Sequence, residues 1–123
     1  MSETLEGRLV TDVMLAQPKT VPPSATAAEA RELLANPSVQ MLLIADGDRF
    51  CGALTGLPDD ADGLALDYAD PEPESLPPTA TAEEAFTRTA AHPDRRVVVL
   101  DDGKLVGLVC LDQTRTRFCG RAR

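Results

Sequence analysis

Few residues of this sequence could do chemistry. The only histidine, His92, stands beside Pro93 with no Cys or Ser partner at motif spacing, so nucleophilic and general-base catalysis lack an inventory. Neither GxxxxGK[ST] nor GxGxxG occurs, which removes support for phosphoryl transfer and dinucleotide binding of the Rossmann kind. Cys51, Cys110 and Cys119 lie 59 and 9 residues apart, a spacing that fits neither a disulfide framework nor a CxxC metal knuckle, and they read as reduced thiols. Cys51 and Cys110 read as small hydrophobes on strands; Cys119, among Arg115, Arg117, Arg121 and Arg123, is the better redox candidate because cations favour the thiolate. Arg95-Arg96 is the only adjacent basic pair and precedes an apolar run, where it could neutralise a phosphate or simply form a solvated loop. Against a polyanion stands the stretch from Leu57 to Glu74, with Asp59, Asp60, Asp62, Asp67, Asp70, Glu72, Glu74 and no Lys or Arg. Its field is screened only beyond about 10 Å, and it lacks the regularity of a calcium loop.

The elements that must position these groups belong to one modest globular unit. With 123 residues, 12 Lys+Arg against 20 Asp+Glu and a net charge of −8, the chain has no basic track for nucleic acid, and its four aromatics are too few for a stacking platform. No apolar run reaches the roughly 20 residues that span a bilayer, and the N-terminus has neither basic start nor hydrophobic stretch, so the expected address is the cytoplasm. The basic tail from Thr114 to Arg123 reads as a frayed end, or as an arm docking on the acidic stretch of a partner subunit.

A shift of 55 residues lays VPPSATAAEA (from Val21) on LPPTATAEEA (from Leu76) and LLIADGDRFCGALT (from Leu42) on VVVLDDGKLVGLVC (from Val97), without a gap. Each copy predicts the same elements. Thr26-Ala-Ala-Glu29 and Thr81-Ala-Glu-Glu84 are capping boxes that start helices of about ten residues, ending before Pro37 and Pro93. Met41–Ala45 and Val97–Leu100 follow as buried strands, and the turns Asp46–Arg49 and Asp101–Lys104 lead into antiparallel partners. Short extended pieces at Thr20-Val21 and Ser75-Leu76 complete a β-α-β-β unit, present twice.

This pattern resembles the CBS domains, which occur in tandem pairs called Bateman modules. Leu9-Val-Thr-Asp-Val-Met14 is similar to the family's opening V-x-D-V-M, Thr20 to Ala30 to its T-V-x-P-x-x-T-x-x-E-A, and Asp46 to Thr55 to its D-x-x-x-x-x-G-x-x-T. The resemblance implies an α+β (mixed α/β) fold of two pseudo-symmetric β-α-β-β-α repeats with packed small sheets. It places a lead-in at 1–8, repeats at 9–64 and 65–118, and a basic tail at 119–123. It further implies a regulatory module without enzymatic activity, stand-alone and bacterial, working as a homodimer on an unknown protein partner, with no membrane or nucleic acid. The implied ligand, in clefts between the repeats, is an adenine nucleotide (AMP, ADP or ATP) or S-adenosylmethionine, with no firm cofactor and no metal.

By the same resemblance the ligand-binding positions are Thr20, Val21, Gln40, Met41, Thr55 and Asp59 in the first copy and Leu76, Arg95, Arg96, Cys110 and Gln113 in the second. The family's Thr or Ser followed three residues later by Asp, a hydroxyl for phosphate and a carboxylate for ribose, is incomplete in both. Thr55 is present but Pro58 replaces the Asp, with Asp59 one place late; Cys110 and Gln113 replace both. The rival expectation is a ligand-free homodimeric scaffold whose clefts have decayed and are plugged by side chains such as Met41.

Overall fold

A computed structural model describes residues 7–16, 18, 20–36, 41–112, 114 and 118. The chain divides into two compact units, Lys19–Pro73, here the first unit, and Met1–Pro18 with Glu74–Arg123, the second. The first holds β1 (Thr20–Val21), α1 (Ala27–Leu34), β2 (Leu42–Asp46) and β3 (Arg49–Leu54); the second holds β4 (Ser75–Leu76), α2 (Ala82–Ala91), β5 (Arg96–Asp101) and β6 (Lys104–Cys110). The fold is mixed α/β, with two helices and six strands among the described residues, as the repeat implies.

Local chemistry explains the elements. Thr26 accepts from Glu29 N at 3.1 Å while Glu29 accepts from Thr26 N at 2.9 Å, a full capping box. Thr81 accepts from Glu84 N at 3.0 Å, but the expected second capping box is only half formed, because the Glu84 carboxylate turns along the helix to lie 3.9 Å from Arg88. In each unit the short strand pairs parallel with the middle strand (Thr20 with Leu43, Ser75 with Val98), which pairs antiparallel with the last. Both antiparallel ladders shift register at the same place, Ile44/Ala45 and Val99/Leu100. The second hairpin turns on Asp102 and Gly103 with φ of 54° and 83°, the left-handed pair that matches strand twist. The helices bury Ala30 over Leu42, Ile44 and Leu54, and Ala85 over Val97, Val99 and Val109, giving each unit its own core.

The segments ahead of each repeat are exchanged. The 3-10 turn Val10–Asp12 belongs to the second unit: Val10 N donates to Ala80 O at 2.8 Å and Leu15 N to Leu108 O at 2.8 Å. Its counterpart Ala65–Tyr68 belongs to the first, with Ala65 N donating to Ala25 O at 3.0 Å and Asp70 N to Ala53 O at 2.8 Å. A glycine admits each segment. A Cβ on Gly107 would collide with Met14 Sδ and stand 2.7 Å from Leu15 O, and one on Gly52 would stand 3.0 Å from Ala69 Cβ.

After β3 the structure departs from the helix that the resemblance implies. Residues 55–58 have no regular structure and a turn follows at 59–60. Pro58 cannot donate to a helical ladder, and Arg31 of α1 holds this stretch by donating to Ala61 O at 2.8 Å and Pro58 O at 3.5 Å. No helix among the described residues is long and apolar enough to cross a membrane.

Candidate functional site

Strand pairing gathers the candidate residues of each copy at one end of its sheet. In the second unit Arg96 opens β5 directly opposite Cys110, which closes β6, so both side chains project from the same face. Arg95 takes φ of 57°, a left-handed conformation rare for a residue with a Cβ and frequent where backbone strain serves a site. The strain turns the arginine back on the strand end: Arg95 Nη1 donates to Leu111 O at 3.1 Å, while Leu111 N donates to Arg95 O at 3.0 Å. Arg96, only 7% exposed, directs Nη1 at the carbonyls of Arg95 (3.2 Å), Asp94 (3.3 Å) and Leu111 (3.5 Å). It forms no ion pair among the described residues. Burial first, and then the Arg95 charge, lower its pKa from the ordinary guanidinium value, with Asp94 opposing; it remains a cation. Two cationic side chains thus converge on one carbonyl, a feature that no sequence signal announces. Leu76, by contrast, is 2% exposed in the unit's core beside Val10 and Val99.

The first unit builds the same corner from other chemistry. Met41, the counterpart of Arg96, is buried at 7% exposure just ahead of β2. Thr55, the counterpart of Cys110, follows β3 and is exposed, as are Thr20 and Asp59. Since Leu42 pairs with Leu54 and Thr20 with Leu43, the pattern brings Thr20, Met41 and Thr55 to one sheet end. Val21 packs half-buried against the core, and Asp59 sits in the turn beyond Pro58. Gln40 and Gln113 lie outside the described residues, as does Cys119.

One expectation is corrected. Cys51 is free, but Cys110 is disulfide-bonded, so the three cysteines are not all reduced thiols. Spacing alone does not report which cysteines meet; beyond the bonded Cys110, Leu111 bridges Phe118, whose ring meets Phe86 of α2 edge-on at 5.6 Å. Cys110 in this state has no S–H to offer a ligand. His92 accepts at Nδ1 from Asp94 N at 3.0 Å, an assignment to the helix-to-strand turn. A groove of about 470 Å³ along α2 is lined by Glu74, Glu83, Glu84 and Arg88 among others, none a candidate residue; Arg88 there already meets Glu74 at 3.3 Å and Glu84 at 3.9 Å. Among the described residues no three His, Cys, Asp or Glu side chains cluster as metal ligands.

Comparison with known proteins places this arrangement. The CBS domain family model matches twice, over residues 10–55 and 65–113. The crystal structure of the CBS-pair protein CBSX2 from Arabidopsis thaliana is 24% identical with a TM-score of 0.70, over 85% of this chain and 89% of that one. The structure of CBSX2 in complex with AMP is likewise 24% identical with a TM-score of 0.71, over 89% and 92%. The cytosolic domain of the Mg2+ channel MgtE in complex with ATP is 20% identical with a TM-score of 0.68, over 87% of this chain and 47% of that one. No curated protein sequence matches. Two family matches laid over two copies of one β-α-β-β frame leave a single conclusion: the chain belongs to the CBS domain family, as a tandem pair.

Proposed function

We propose that this CBS pair is a non-catalytic regulatory module that senses an adenine nucleotide, with the phosphates held at Arg95 and Arg96. The observation that carries the reading is Arg96: a buried guanidinium without an ion pair among the described residues, compensated by backbone carbonyls alone. Burying a cation is costly unless an anion or several dipoles offset it, and a phosphate supplies the missing full charge. The AMP and ATP complexes of similar structures support the ligand class. In this reading Ser75 and the strand end at Cys110 border the same half-site, and the module works in the cytoplasm as a homodimer that regulates a protein partner. The ligand-free scaffold is favoured for the first unit alone, where the apolar Met41 occupies the place of Arg96.

The test is a thermal-shift titration with AMP, ADP, ATP and S-adenosylmethionine, on the wild type and on Arg95→Gln/Arg96→Met, which copies Gln40 and Met41. A ligand at 100 times its Kd adds about 2.7 kcal/mol and raises Tm by several degrees. The double variant is expected to bind at least about tenfold more weakly, in line with roughly 1–3 kcal/mol per charged hydrogen bond lost. Equal affinity in both proteins, or no shift with any of the four, rejects the reading.

A further inference from the structure

The turn that delivers the arginine pair is closed by one residue. Pro93 holds His92 extended, at φ −80° and ψ 134°, and so ends α2 at Ala91. The chain then reverses over residues 92–95, and its backbone N–H groups go to His92: Arg95 N donates to the His92 carbonyl at 3.1 Å and Asp94 N to its Nδ1 at 3.0 Å, while Pro93 has no N–H to place. An imidazole that accepts at Nδ1 carries its proton on Nε2. Acceptance from the N–H two residues on is the bond of an Asx turn, made here by a ring nitrogen in place of an Asn or Asp oxygen.

The exit of this turn is strained. Arg95 stands at φ 57°, a conformation that persists only where its surroundings over-determine it. Leu111 ties Arg95 from one side, through its carbonyl and its N–H, and His92 ties the turn from the other. The same turn presents the carbonyls of Asp94 and Arg95 to Arg96 Nη1 at 3.3 and 3.2 Å, and the first of these belongs to the peptide unit whose N–H is bound to the His92 carbonyl. In the first copy Pro37 aligns with His92, and Gln40 and Met41 with the arginines, so the side-chain acceptor and the two cations are present together in one copy and missing together from the other. We propose that His92 is the positioning residue of the arginine pair: its imidazole, as the acceptor of an Asx-type turn, fixes the loop that holds Arg95 left-handed and seats Arg96 against the carbonyls. The placement of the arginines stands apart from any ligand; its consequence, a nucleotide affinity set by a side chain acting through the turn, rests on the nucleotide reading above.

The experiment compares the full-length wild type with His92→Leu, which removes the acceptor, and with His92→Asn, whose amide oxygen is the usual acceptor of an Asx turn. Without nucleotide, exchange of the Asp94 and Arg95 amides is followed by NMR, and modification of Arg95 and Arg96 by phenylglyoxal is located by mass. The Val98 amide, which donates to Glu74 O at 3.3 Å, is the control for an intact sheet. In His92→Leu both amides are expected to exchange, and both arginines to react, about tenfold faster at unchanged Val98 exchange, and His92→Asn is expected to restore the wild-type rates. In titrations with AMP and ATP, affinity is expected to fall about tenfold in His92→Leu and to return in His92→Asn. Adding His92→Leu to Arg95→Gln/Arg96→Met is expected to cost nothing further, the non-additivity of residues that act as one unit. Wild-type rates in His92→Leu, no restoration by His92→Asn, equal acceleration at Val98, or a full further loss in the triple variant each overturn the proposal. Altered rates with no nucleotide bound by the wild type uphold the positioning role and reject the nucleotide reading alone.

Discussion

The first unit ends its strand corner in Met41 and Thr55, the second in Arg96 and Cys110, although ladders, bulges, Thr N-caps and exchanged 3-10 segments coincide between them. The same helix position holds the chain after the last strand by different means as well: Arg31 by hydrogen bonds to Ala61 O and Pro58 O, Phe86 by its ring against Phe118. Duplication thus preserved what the backbone needs and left side chains at the sheet ends free to diverge. The second unit gathered charge and a covalent bond, the first an apolar plug and an exposed hydroxyl.

Substitutions at matched positions break or sharpen that comparison. The largest expected effect is Cys110→Ser, which removes the disulfide and should cost about 3 kcal/mol in urea melts under air. With dithiol added, the variant and the wild type should converge, while Thr55→Ala in the first unit should change little in either condition. Next comes Gly107→Ala at about 2 kcal/mol, because its Cβ meets both Met14 Sδ and the fixed Leu15 carbonyl. Gly52→Ala should cost about 1 kcal/mol, since the Ala69 Cβ at 3.0 Å has only to give by a few tenths of an ångström. Equal losses at the two glycines would show that the exchanged segments are held alike. The smallest effect is a gain. Thr89, the counterpart of Leu34, buries a hydroxyl that has no hydrogen-bond partner among the described residues. Thr89→Val keeps the shape, removes the desolvated polar atom and should raise stability by about 1 kcal/mol, read as a higher Tm.

Most of the frame was legible in the sequence. The 55-residue repeat, the Thr caps and the glycine-bearing turns each act within a few residues, so their neighbours in sequence are their neighbours in space. The candidate site was legible only as residue types. Arg95-Arg96 stood out as a basic pair, but nothing local foretold that Arg95 would adopt positive φ or that Arg96 would sink beneath three carbonyls. Leu76 aligned with a cleft position and lies in the core, because β4 is two residues long and its pleat turns that side chain inward.

By itself the sequence determined two copies of a capped helix and a hairpin, and with them the family. Only tertiary structure decided that residues 9–15 serve the strands of the second copy and residues 64–70 those of the first, and that Cys110 is covalently bonded while Cys51 stays free. The physical reason is range: caps, turns and alternation are set by energies between residues a few positions apart. A docked segment, or a guanidinium pair that converges on the Leu111 carbonyl, depends on which distant atoms the closed chain brings within bonding distance.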